Sequence, residues 1–196
     1  VSRSLPGGTI AARVPEQVLM ARLFTALALP EDVVAHLAAA VAEVREQLPA
    51  GARWIPPERW HLTMKFHGED DPDRRAAKLR RRARGLPAPT LRLAACGTFS
   101  GVLWVGVRTA DEDSRRALRR VAQAAGNDPR EFRPHLTVAR WSAGRPDRAA
   151  LRALLADYTG PWWTPGELVL VRSELRPGGP RYTDLAHVAL DVARGA

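Results

Sequence analysis

The stretch "ERWHLTMKFHGE", Glu58 to Glu69, decides how the chain is read, together with "EFRPHLTVARW", Glu131 to Trp141. Each holds His-Leu-Thr followed by an apolar residue, and the two histidines lie 74 residues apart. In a strand, residues i and i+2 project to the same face. His61 and Thr63 therefore point together, with Leu62 and Met64 turned to the core. His135 and Thr137 do the same, backed by Leu136 and Val138. One such motif arises by chance in many strands. Two copies in the same apolar frame, each in its own half of the chain, suggest a weak internal duplication. If the two strands lie side by side, two imidazoles and two hydroxyls line one cleft.

Working outward, strands and helices alternate loosely. "RLFTALAL" (22–29) is a strand pattern. Pro30, Glu31 and Asp32 open a helix whose acidic start suits its positive end, and Val33, Leu37, Val41, Val44 and Leu48 form one face. "PAGARWIPPERW" reads as a loop, with two prolines blocking regular structure. The first motif strand spans 59–67, and a basic helix spans 73–84. "TLRLAACGTF" and "VLWVGVRT" (102–109) are strands joined by a turn near Ser100-Gly101. A helix at 112–125 stops at Gly126. The second motif strand covers 132–140, a helix 147–158, and two closing strands 166–175 and 182–192.

The 196 residues suffice for one large domain with a real core. A hydrophobic content of 45% and a charged content of 26% are those of a globular chain. No apolar run reaches the roughly 18 residues a transmembrane helix needs, so no membrane association is expected. Cys96 is the single cysteine. It cannot form an internal disulfide, which fits a cytoplasmic setting. Residues 1–20 lack the apolar core of a signal peptide and are read as an N-terminal extension to a domain spanning 21–196. The net charge of +9 and pI near 11.1 favour polyanionic partners, nucleic acid above all.

Paired histidines suit phosphoryl chemistry. An imidazole has an unperturbed pKa near 6.5, so one ring can accept a proton while the other donates one. Threonine hydroxyls can hold the non-bridging phosphate oxygens. There is no CxxC, HExxH or His-x-His, and threonine is a poor zinc ligand. Neither a metal nor another cofactor is expected.

These motifs and their framing resemble the two-histidine (2H) phosphoesterases, most closely the RNA 2′,3′-cyclic phosphodiesterase branch, historically called 2′-5′ RNA ligases. The resemblance runs over nearly all of residues 21–192. It includes "RLFTALALP", "RWIPPERWHLTMKFHGE", "GTF" with "LWVGV", "RPHLTVAR", and "SEL" with "RYTDL". It implies an α+β, bilobal fold: two pseudo-symmetric lobes, each a mostly antiparallel sheet with outer helices, around a central cleft. It also implies hydrolysis of a terminal 2′,3′-cyclic phosphate on RNA to a 2′-phosphate, with weak reverse 2′-5′ joining; the chain is expected to be a monomer. On this chain His61 would protonate the departing 3′ oxygen, and His135 would activate water. Thr63, Thr137 and Arg140 would bind the substrate.

Simple alternation turns Arg140 away from His135, so either the strand bends after Thr137 or Arg140 is peripheral. Arg133, Lys65 and His67 share the parity of the motif histidines, although a packing role at the strand end suits His67 better. His36 and His187 read as bystanders, and Cys96 as a packing residue. The basic run Arg74 to Arg84 is either an RNA contact or a solvated helix face. Of the aromatics Phe99, Trp104, Trp141 and Tyr182, Phe99 and Trp141 are the candidates to stack on a base. Two other readings stay open. One is a related enzyme acting on ADP-ribose cyclic phosphate or oligoadenylate. The other is an RNA-binding module without turnover.

Overall fold

The computed structural model describes residues 20–99, 101–142 and 146–192. The N-terminal extension up to residue 19 and Ser100 of the expected turn lie outside the described residues. Eight strands form two four-stranded sheets. In chain order the elements are β1 (Ala21–Leu27), α1 (Glu31–Glu43), β2 (Ala52–Trp54), β3 (Leu62–Asp70), α2 (Pro72–Ala83), β4 (Leu91–Phe99), β5 (Val102–Thr109), α3 (Glu112–Ala125), β6 (His135–Trp141), α4 (Arg148–Ala153), β7 (Glu167–Arg176) and β8 (Gly179–Ala189). The sheet orders are β3-β1-β7-β8 and β2-β6-β5-β4. Every pairing is antiparallel. The α+β, two-sheet expectation therefore holds, with one motif in each sheet.

Local chemistry sets the helix ends. Asp71 caps α2 by accepting from the backbone N–H groups of Asp73 and Arg74, with Pro72 at the first helical position. Asp111 caps α3 through the Ser114 N–H, and Gly126 ends it with φ at +100°. The apolar stripe Val33, Leu37 and Val41 buries α1 as its spacing requires.

Packing is two-sided in the first sheet. Leu23, Leu27, Leu168 and Leu170 join a large core that continues through Leu103, Val105, Leu136 and Val138 of the second sheet. The opposite face carries a small separate cluster, Phe24, Ala26, Val169 and Val171, with Tyr182 against it. This second face borders the site.

Several element boundaries depart from the periodicity. The loop expected before the first motif contains β2, three residues that pair with the free edge of β6 (Ala52 with Trp141, Arg53 with Arg140, Trp54 with Ala139). A strand that short has no period to read; its partner makes it a strand. β6 starts at His135 rather than 132. Pro134 has no N–H for a ladder, and the Phe132 N–H bonds the Asp128 carbonyl. α4 is shorter than expected because Tyr158 and Thr159 are drawn to the edge of β4, where the Ala95 N–H donates to the Tyr158 carbonyl at 2.9 Å.

The sheet beneath His135 is closely packed at Gly97 and Gly106. A Cβ added to Gly97 would overlap the six-membered ring of Trp104 on the neighbouring strand. Gly97→Ala should cost about 2 kcal/mol through overpacking, measured by denaturant unfolding. Gly166→Ala, where a Cβ meets nothing within 4 Å, should be close to neutral.

Candidate active site

His61 and His135 are held in the same way. His61 Nδ1 lies 2.8 Å from the Arg59 carbonyl oxygen, and His135 Nδ1 lies 2.7 Å from that of Arg133. A carbonyl can only accept, so each Nδ1 carries the proton. In the neutral ring Nε2 is then left with a free lone pair. Each histidine borrows the carbonyl two residues before it, at a point where the chain is outside a strand ladder. Arg59 ends a 3₁₀ turn spanning Pro57–Arg59, and Arg133 precedes Pro134. Both blocks carry arginine there, but the bond uses the main chain. That is why residue identity alone gave no hint of it.

Aromatic rings fix the imidazole planes. His61 stacks on Phe24, with centroids 4.7 Å apart, and meets the edge of Tyr182 at 5.3 Å. His135 meets Phe99 edge-on at 5.1 Å, with Trp104 at 6.4 Å. Phe99 is 43% exposed. Trp141 packs on the main core instead. Thr63 pairs with Ala26, and Thr137 pairs with Trp104. Each threonine thus shares its sheet face with the aromatic neighbours of its histidine. β3 and β6 come within 8 Å, measured between Cα atoms.

A bulge resolves the parity of Arg140. β5 pairs Gly106 with His135, Trp104 with Thr137 and Val102 with Arg140, and the register shifts between Leu103 and Trp104. Val138 is the extra residue, so Val138 and Ala139 are both buried while Arg140 returns to the face of His135 and Thr137. Arg53 of β2 stands opposite Arg140 on that face. The charge of Arg140 acts on both His61 and Tyr182 in the other sheet, so it reaches across the cleft.

Two bulges in β3 correct the parity of Lys65 and His67. The register shifts between Thr25 and Ala26 and again between Leu23 and Phe24. Lys65 falls opposite Thr25, on the helix side, and exposed Phe66 takes the cleft face, 5.9 Å from Phe24. His67 shares a 2.7 Å hydrogen bond with the hydroxyl of fully buried Thr25. It is a packing residue on the far face. Arg133 is not a strand residue, and its guanidinium donates to the Arg130 carbonyl at 2.8 Å.

The remaining candidates sit elsewhere. α2 packs on α3, β7 and β8. Its Arg74 and Arg75 bind the buried carboxylate of Asp70, and hydrogen bonds from Arg75 hold that carboxyl well below the usual range. The Cys96 thiol donates to the Arg152 carbonyl at 2.9 Å, and burial pushes its pKa up. His36 lies 3.2 Å from the Tyr158 hydroxyl. His187 bridges Glu167 at 2.9 Å and Asp184 at 3.8 Å. Among the described residues no three metal-type ligands converge, and no helix is long and apolar enough to cross a membrane.

Burial lowers the His61 pKa to about 4; the Arg59 carbonyl opposes the fall and Arg140 adds to it. His61 is therefore neutral at pH 7 in the free protein. A cavity of about 590 Å³ opens beside it, lined by Phe24, Trp60, Val169, Val171 and Tyr182 among others.

Comparison with known proteins agrees with this geometry. The model of the 2′-5′ RNA ligase superfamily matches residues 20–177. The chain belongs to that superfamily. It is 35% identical over 193 residues to an RNA 2′,3′-cyclic phosphodiesterase of Thermus thermophilus, covering 89% of this chain and 92% of that one. A second protein of the same name, from Methanothermobacter thermautotrophicus, is 30% identical over 84% of this chain and 96% of its own length. Among solved structures, TT0787 of Thermus thermophilus superposes with a TM-score of 0.66 at 32% identity, covering 88% of this chain and all of that one. LigT of E. coli, solved with 3′-AMP, gives 0.64 at 25% identity over 88% of this chain and 99% of its own. The family resemblance drawn from the paired motifs is thus established, and with it the two-lobed fold.

Burial lowers His67 to about 4 as well, aided by the charge of Arg75. Both rings have folded pKa values below the unfolded value of roughly 6.5. Between about pH 4 and 6.5 the unfolded chain binds more protons, so stability is lost as pH falls through that window. Denaturant midpoints should drop steadily from pH 7 to pH 4.5, and the drop should be smaller in His61→Asn.

Proposed function

We propose that the protein opens the 2′,3′-cyclic phosphate at an RNA terminus, leaving a 2′-phosphate, with His61 and His135 as an acid–base pair. The observation that carries this reading is the matched pair of Nδ1–H bonds to backbone carbonyls. An RNA-binding surface has no need to present two imidazoles with both Nε2 atoms prepared for proton transfer. Relatives bearing the phosphodiesterase name, at 30–35% identity over most of the chain, support it.

His135 Nε2 takes a proton from water as its oxygen bonds to phosphorus. The bond from phosphorus to the 3′ oxygen breaks, and protonated His61 supplies the proton that makes it a hydroxyl. Thr63, Thr137 and Arg140 hold the non-bridging oxygens. Protons then exchange with solvent to reset the pair, and no step requires a metal. A 5′-hydroxyl in place of water turns the same steps into a 2′-5′ joining reaction.

His61 is neutral before substrate arrives. The cyclic phosphate brings a negative charge to Nε2, which favours the protonated ring. Anion binding should therefore take up a proton. Affinity for a nucleoside 2′-monophosphate should rise as pH is lowered from 7 to 5.5, measured by calorimetry, and His61→Asn should flatten that dependence.

His61→Ala and His135→Ala should each reduce kcat on a nucleoside 2′,3′-cyclic phosphate by about 10²–10⁴-fold while melting temperatures stay near wild type. Arg140→Met should act mainly on KM. Full activity in either histidine variant sinks the reading, and so does activity that is abolished by EDTA and restored by a divalent ion.

A further inference from the structure

The cavity beside His61 has a charge opposite to that of the protein around it. The chain carries 30 Lys and Arg against 21 Asp and Glu, yet among the described residues no Lys or Arg lines this cavity. Its carboxylates are Glu31, Glu58 and Asp184. The floor is Phe24, Val169, Val171 and Tyr182 from the small cluster on the cleft face. The cations Arg53 and Arg140 stand on the other side of the cleft, in the second sheet. A phosphate is drawn towards Arg140 and repelled from the cavity. What the cavity suits is a flat, uncharged ring that lies against its apolar lining and half-buried Tyr182 and offers N–H groups to carboxylates.

We infer that this cavity holds the nucleobase of the terminal nucleotide and selects guanine through Glu31 and Glu58. A carboxylate presents two acceptors side by side. The guanine edge offers N1–H and the 2-amino group as two adjacent donors, the only base edge that matches both oxygens. Adenine and cytosine each offer one amino group beside an acceptor. Uracil offers one N–H between two carbonyls, which a carboxylate repels. The volume of about 590 Å³ admits a purine with its ribose.

The three carboxylates are not equally available. Asp184 faces His187 Nε2 at 3.8 Å, and His187 is also held by Glu167. Among the described residues Glu31 and Glu58 form neither an ion pair nor a side-chain hydrogen bond. Glu31 begins α1, and Glu58 lies in the 3₁₀ turn three residues before His61. The pocket that takes the base is therefore built partly from the turn that positions the proton donor. A base seated there puts its ribose, and so the departing 3′ oxygen, beside His61 rather than His135.

The inference rests on the cyclic phosphodiesterase reading for its substrate, but base selection can be measured without turnover. The first arm compares kcat/KM for the 2′,3′-cyclic monophosphates of guanosine, adenosine, cytidine and uridine. The second compares Kd for guanosine and uridine 2′-monophosphates, measured by calorimetry. Wild type should favour guanosine over uridine by about tenfold in both arms, near the lower end for a bidentate contact to a base. Glu31→Gln with Glu58→Gln should reduce that ratio to below about threefold. Both positions are exposed, and thermal melting will confirm that the variant is folded. Equal treatment of the four bases, a preference for uridine, or an unchanged ratio in the double variant overturns the inference. If no cyclic phosphate is hydrolysed, the proposed function fails, and the binding arm alone decides base selection.

Discussion

The site depends on one hydrogen bond made twice, from a histidine Nδ1–H to the carbonyl two residues earlier. It removes the ambiguity of a ring that could carry its proton on either nitrogen, and it leaves Nε2 as the free nitrogen on one histidine in each sheet. The bond is cheap to encode. It asks for a backbone that leaves its ladder just before the histidine, which a 3₁₀ turn achieves at Arg59 and a proline achieves at Pro134. Both solutions leave the accepting carbonyl unclaimed by a neighbouring strand.

The second constraint is irregular pairing. A regular strand repeats every two residues, and a site built on perfect alternation would turn Arg140 to the wrong face. One extra residue at Val138 brings it back. The two bulges in β3 do the reverse for Lys65 and His67, moving a cation and a third imidazole off the cleft face. The bulges thus leave Arg140 on the face of His135 and Thr137 and turn Lys65 and His67 away from the face of His61. The neutrality of His61 follows from the same packing: Phe24 and Tyr182 that hold its plane also exclude the water that would stabilise its charge.

Much of this was legible in the sequence. The two His-Leu-Thr blocks stood out because a two-residue period and an apolar frame are local, and helix caps such as Asp71, Asp111 and Gly126 act within a turn. The centres of the strands and helices could be read for the same reason. What escaped reading depends on partners distant in sequence. β2 is a strand only because β6 has a free edge. The side of Arg140 is set by register against β5, and that of His67 by register against β1. The aromatic supports Phe24 and Tyr182 lie 158 residues apart and meet only because β7 pairs with β1 on one side and with β8 on the other. No window of sequence contains both.

That placement of β7 has a consequence for how the protein comes into being. The first sheet takes two strands from the start of the described chain and two from its end, with all of the second sheet except β2 threaded between them. During synthesis from the N-terminus β1 gains β3 early but must wait for β7, so its second edge stays open while more than a hundred further residues emerge. Contacts of such long sequence separation close slowly, and an unpaired edge is where a nascent strand finds wrong partners. The second sheet, contiguous apart from β2, can form first and serve as the template. Tyr182 then reaches His61 last of all, so catalytic competence and completion of the fold coincide.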